Sequence, residues 1–173
     1  MNLASTIRSV PDFPKKGIVF RDITTLLKDK AALHQCVEEF YEHYRTQRID
    51  KVVGIESRGF ICGGALADRI GAGFVPVRKP GKLPADKIRQ EYQLEYGTDA
   101  VELHRDAIVK GDRILLHDDL LATGGTMEAA CKLVEQLGGT IVGLSFLIEL
   151  SFLNPRKRLA SYPIFSLVSY DSE

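Results

Sequence analysis

Apolar residues recur along the chain in two periods, and their alternation outlines a fold. Leu33, Cys36, Val37, Phe40, Tyr41 and Tyr44 fall at helical spacing, with Asp29 placed to cap a helix that begins near Asp29 or Lys30. Phe60 to Ile70 and Met127 to Leu137 read as two further helices, the second with Met127, Ala130, Cys131 and Val134 on one face. Short apolar runs lie at Lys51 to Ile55, Gly73 to Arg78, Arg113 to His117, Thr140 to Leu150 and Ile164 to Tyr170, as buried strands do. Strands separated by helices predict an α/β fold: a mainly parallel central sheet with helices on both faces. Ligand sites in such folds lie outside the carboxyl ends of the strands.

Lys79 to Gly111 breaks the alternation. It holds Pro80, Gly81, Pro84, a charged run and two short pieces, Tyr92 to Tyr96 and Ala100 to Leu103. This reads as a mobile two-stranded flap, a device suited to closing over a water-sensitive reaction.

At 173 residues the chain fits a single domain, residues 1–173, able to bury most of its apolar surface in one core. Lysine plus arginine, 23, balances aspartate plus glutamate, 23, so the long-range positive field of a dedicated nucleic-acid binder is absent. Cys36, Cys62 and Cys131 lie far apart without metal-ligand spacing and read as reduced core thiols. With no charged-then-apolar leader and no apolar run near the ~20 residues of a membrane span, the cytoplasm is the expected location.

One unit concentrates the chemistry. Ile114 to Thr126 joins a buried strand, the acids Asp118 and Asp119, and the loop Ala122-Thr123-Gly124-Gly125-Thr126 that opens a helix. A helix start fed by glycines favours a phosphate, whose oxygens the backbone N–H groups can approach closely, while Thr123 and Thr126 add hydroxyl donors. Two carboxylates repel that same phosphate, so they must serve another part of the ligand. Carboxylates accept hydrogen bonds only; their partners are paired hydroxyls, such as a ribose diol, or a divalent cation. A phosphorylated ribose satisfies both halves. No lysine follows Gly125 as a P-loop would require, and no GxGxxG is present.

A second strand-to-helix turn, Glu56-Ser57-Arg58-Gly59-Phe60, follows Ile55 at the same sheet edge. Its amides and Arg58 can meet a second anion, or Arg58 can simply pair with a surface acid. Arg78, Lys79 and Lys82 follow a neighbouring strand at that edge, as anion-neutralising groups or as a solvated charge run.

Over its full length the Asp118 unit resembles the phosphoribosyl-pyrophosphate (PRPP) signature of type I phosphoribosyltransferases, with His117 standing where that family usually has an apolar residue. The resemblance implies the same fold and a reaction that displaces pyrophosphate at the anomeric carbon with Mg²⁺. It assigns ribose and 5′-phosphate to Asp118, Asp119, Ala122, Thr123, Gly124, Gly125 and Thr126. Pyrophosphate falls to Glu56, Ser57, Arg58, Arg78, Lys79 and Lys82, and the Glu56 turn is where the family often has a non-proline cis peptide. The metal would arrive with PRPP, and Asp118 and Asp119 would meet the metal, the ribose hydroxyls or both.

Further segments narrow the likeness. Asp12-Phe13-Pro14 and Gly17-Ile18-Val19-Phe20-Arg21-Asp22-Ile23 resemble the base-binding segment of adenine-specific members. The same members' other signatures are matched in order by Glu56 to Phe60, Arg78 to Pro84 and Leu94-Glu95-Tyr96-Gly97. This implies a small N-terminal hood over about residues 1–30, in which the backbone at Val19 and Arg21 reads adenine while Phe20 stacks on it. It further implies transfer of phosphoribose from PRPP to adenine, giving AMP and pyrophosphate in purine salvage. Glu95 would handle the purine proton, Arg58 would assist catalysis, Tyr96 would help close the site, and the protein would be a homodimer. Rival expectations are a 6-oxopurine substrate, or a non-catalytic PRPP-sensing regulator, for which no DNA-binding module is present.

Overall fold

The computed structural model describes residues 1–94 and 96–173. An N-terminal hairpin pairs β1 (Arg8–Pro11) with β2 (Val19–Asp22), and α1 (Thr24–Leu27) and α2 (Lys30–Tyr44) follow. The α2 start is capped as the spacing predicts: the Asp29 carboxylate accepts from the N–H groups of Ala31 and Ala32 at 2.9 and 3.0 Å. Then come β3 (Lys51–Ile55), α3 (Gly59–Ile70), β4 (Gly73–Val77), and the antiparallel pair β5 (Lys87–Gln93) and β6 (Thr98–His104). The chain continues through β7 (Arg113–Leu121), α4 (Gly125–Gln136), β8 (Thr140–Leu150) and β9 (Ile164–Tyr170).

Five strands form one parallel sheet in the order β4-β3-β7-β8-β9. The period of two along β7 sends Ile114 and Leu116 to one face and Leu115 to the other, and each face carries its own core. α4 and the β5–β6 hairpin cover the first, with Met127, Ala130, Cys131 and Val134 buried as the helical spacing predicts. α2, α3 and the N-terminal segment cover the second, through Phe40, Leu66 and Leu26. Burying each such large apolar side chain contributes roughly 1.5–3 kcal/mol. All three cysteines are buried and free, and no described helix is long and apolar enough to cross a membrane.

Several boundaries differ from the sequence expectation: β5 ends at Gln93 rather than Tyr96, β6 starts at Thr98 rather than Ala100, and two others differ further. β5 begins at Lys87, well before Tyr92, because Ile88 and Tyr92 point into the core while Lys87, Arg89 and Glu91 between them disguise the strand as a charged run. β7 does not stop at His117 but runs through both acids to Leu121, because the long β8 offers partners as far as Glu149.

The strand order places the site. From β3 the chain crosses to β4 on one side, whereas β7 leads to β8 and β9 on the other, so the order reverses between β3 and β7. Reversal leaves a crevice outside the carboxyl ends of those two strands, the usual ligand position in open α/β sheets.

Candidate active site

The turn after β3 is organised by one buried carboxylate. Glu56, whose side chain is only 7% exposed, accepts from Arg78 Nε at 2.8 Å, Lys82 Nζ at 2.9 Å and the Lys79 N–H at 3.2 Å. Burial works against its charge, but Lys82, Arg78 and the amide outweigh it and hold the carboxyl below the usual range. Glu56 therefore gathers cations. The Glu56–Ser57 peptide is cis. Lys79 is tied to the hairpin instead: its Nζ meets the Tyr92 hydroxyl at 2.8 Å and forms an ion pair with Asp99.

The acids after His117 are drawn against the first turn. Arg58 Nε donates to Asp119 Oδ2 at 2.5 Å, and Asp118 Oδ1 accepts from the Asp119 N–H at 2.8 Å. Close approach needs a glycine, since a Cβ on Gly59 would lie 2.9 Å from Asp118 Oδ1. Among the described residues Asp118 forms no ion pair, although the nearby Arg58 charge acts on it. Desolvation first, and the charge of Asp119 second, raise its carboxyl well above the usual range. A cavity of about 350 Å³ joins Glu56, Ser57, Arg58 and Lys79 to Asp118, Asp119 and Thr126.

Beside it a smaller recess of about 80 Å³ is lined by Asp118 and the Ala122 to Thr126 loop. Gly124 there has φ of +83°, which suits a residue without Cβ, and no side chain caps the α4 start. The first N–H groups of α4 thus lack intrahelical partners and face the recess with the positive end of the dipole. Thr123 is exposed and Thr126 half-buried.

The N-terminal hairpin borders the same crevice. Phe20 is half-buried, packs edge-on against Phe13 at 5.2 Å, and lies 5.2 Å from the Arg58 guanidinium carbon. A flat apolar face therefore adjoins the Arg58–Asp119 pair. Val19 and Arg21 flank it on β2. Tyr96 is 80% exposed, and Glu95 lies outside the described residues.

His117 packs rather than joins this constellation. It is fully buried on the face covered by α2 and α3, with Nδ1 2.9 Å from Ser145 Oγ and Phe40 edge-on at 5.1 Å. Sequence reasoning missed Tyr92 and Asp99, the groups that tether Lys79. Nothing in their local pattern distinguishes them from other hairpin residues. A separate cavity of about 340 Å³ adjoins Glu149, whose carboxylate Arg156 and Ser166 already occupy. Among the described residues no group of three or more His, Cys, Asp or Glu side chains is placed to hold a metal ion.

Comparison with known proteins narrows the chemistry. A family model described as the phosphoribosyl transferase domain matches residues 22–167. The adenine phosphoribosyltransferase of Solibacter usitatus is 58% identical over 170 residues, 98% of this chain and 98% of that protein. That of Acidobacterium capsulatum is 60% identical over 168 residues, 97% of this chain and 93% of the relative. The crystal structure of adenine phosphoribosyltransferase from Thermoanaerobacter pseudethanolicus superposes with a TM-score of 0.95 at 51% identity, covering 97% of this chain and 98% of that one.

Proposed function

The chain belongs to the phosphoribosyltransferase family, and from that membership we infer its reaction: it transfers the 5-phosphoribosyl group of PRPP to adenine, giving AMP and pyrophosphate. The observation that carries a site for this reaction is the crevice at the strand-order reversal, where an uncapped helix start, two acids and a cation-bearing turn adjoin.

Residue roles follow from the chemistry of each part. The α4 amides with Thr123, Gly124, Gly125 and Thr126 bind the 5′-phosphate, beside Ala122. Asp118 and Asp119 accept from the ribose hydroxyls and hold the ring while its anomeric carbon takes on positive charge. Ser57, Arg58, Lys79 and the pair held by Glu56, Arg78 and Lys82, receive the pyrophosphate and stabilise its departing charge. Phe20 stacks on the base, whose edge is read by the backbone at Val19 and Arg21. Glu95 takes or shares the purine proton as the glycosidic bond forms, and Tyr96 helps exclude water.

Two neighbouring carboxylates, joined by no third His, Cys, Asp or Glu among the described residues, fit Mg²⁺, which is commonly held by one or two carboxylates plus substrate oxygens. Asp118 and Asp119 would hold it, directly or through the ribose hydroxyls, and it would supply charge neutralisation for the pyrophosphate. We further propose a cytoplasmic homodimer with the region after the Glu56 turn and Arg78 near the subunit contact. The unpaired thiols support a reducing compartment, and sedimentation tests the dimer.

A pyrophosphate-release assay with PRPP and Mg²⁺ tests the reaction. Adenine should support turnover and yield AMP, with hypoxanthine, guanine and xanthine poor substitutes. Release without AMP formation, or preference for a 6-oxopurine, would refute it.

A further inference from the structure

The base-reading hairpin is covered by a segment from the far end of the chain. The Val19 N–H donates at 3.0 Å to Oε2 of Glu173, 154 positions away. The Arg21 guanidinium carbon lies 3.9 Å from the centroid of the Tyr170 ring, and Arg21 Nη2 reaches the Ser172 carbonyl at 3.5 Å. Arg21 is held in turn by Ser9 Oγ at 2.6 Å. These contacts bring the Glu173 carboxylate to β2 at Val19, one residue along the strand from Phe20, on which the base would stack.

The edge at Val19 is consequently rich in acceptors. Val19 stands opposite Pro11 in the hairpin, and proline has no N–H, so the Val19 carbonyl receives no hydrogen from the residue facing it. Its N–H, which would otherwise attract an exocyclic oxygen, is taken by Glu173. A carboxylate can only accept. An exocyclic amino group finds partners at such an edge, whereas an exocyclic oxygen meets acceptors and loses the donor it needs.

We propose that Glu173 is a specificity-determining residue: its carboxylate occupies the Val19 donor and biases the site towards 6-aminopurines over 6-oxopurines. The inference rests on the adenine reading above and deepens it. Glu173 is exposed, so replacing it leaves both cores intact.

Steady-state rates on the full chain, with adenine or hypoxanthine at saturating PRPP, test it. Glu173→Ala frees the Val19 N–H for O6, and the ratio of kcat/KM for adenine over hypoxanthine should fall by about five- to tenfold, the worth of one ordinary hydrogen bond. Glu173→Gln should fall at least as far, because its amide can cap Val19 with oxygen while offering N–H to the base. Where hypoxanthine turnover is too slow to measure, its inhibition constant against adenine gives the same discrimination. An unchanged ratio in both variants, with or without a parallel loss of rate on both bases, overturns the role of Glu173 and leaves the reaction standing. A wild-type protein that makes no AMP from adenine overturns the reaction itself.

Discussion

Asp118 and Asp119 are adjacent carboxylates with unequal surroundings, since Arg58 serves Asp119 while Asp118 faces desolvation and its neighbour's charge. A carboxyl whose folded pKa is raised contributes stability that is complete below the ordinary carboxylate range and is lost as pH rises through the raised value. Asp118→Asn keeps the shape and removes that ionisation. Its melting temperature should exceed the wild type's at neutral pH, and the gap should narrow as pH falls towards about 4. Thermal unfolding across that range measures it, and AMP synthesis should fall because the variant no longer offers a carboxylate to the ribose. At the same scale, Glu95→Gln or Glu95→Ala should lower kcat far more than it changes the PRPP KM. Equal turnover in variant and wild type would remove the proton-handling role. These acids and the glycine loop are legible in sequence because they are contiguous. Glu173 and Asp99 are not, because the meaning of each depends on a partner 154 or 20 positions away.

Among the elements, the start of α4 bears the most constraint. Gly124 has positive φ, and a Cβ on Gly125 would lie 2.8 Å from Arg158 Nη1 and 3.4 Å from Tyr92 Cδ2. Gly124→Ala should therefore cost about 1–2 kcal/mol of stability, the left-handed penalty of an L residue. Denaturant unfolding reads that loss, and the PRPP KM should rise more than the adenine KM. The β5–β6 hairpin makes a different demand, because Asp99 competes with any incoming anion for Lys79. Asp99→Asn should tighten inhibition by pyrophosphate by up to about fivefold, the size of a partly exposed ion pair. Periodicity exposes α2, α3, α4 and four of the five sheet strands to within a residue or two, since their apolar faces repeat, whereas β7 runs past its apolar stretch through both acids. The pattern loses the start of β5, where charged residues on the solvent side outnumber the two that face inward.

For the molecule as a whole, the sheet order converts local loops into one site. β3 and β7 are neighbours in the sheet although the sequence separates them by α3, β4 and the hairpin, and hydrophobic pattern does not encode that adjacency. Binding across both loops should stabilise the fold through mass action. AMP at a hundred times its Kd adds about 2.7 kcal/mol, and at roughly 2–4 °C per kcal/mol for a domain of this size the melting temperature should climb by about 5–10 °C. Calorimetry with AMP, against inorganic phosphate as control, checks the shift.

The carboxylates that hold Arg58, Arg78, Lys79 and Lys82 also shape what the crevice attracts. A stray monovalent anion would have to break an existing ionic partnership for each one it forms, and gains little by doing so. A polyphosphate reaches several cations at once and can trade them together, which turns a locally neutral surface into a filter for multiply charged ligands.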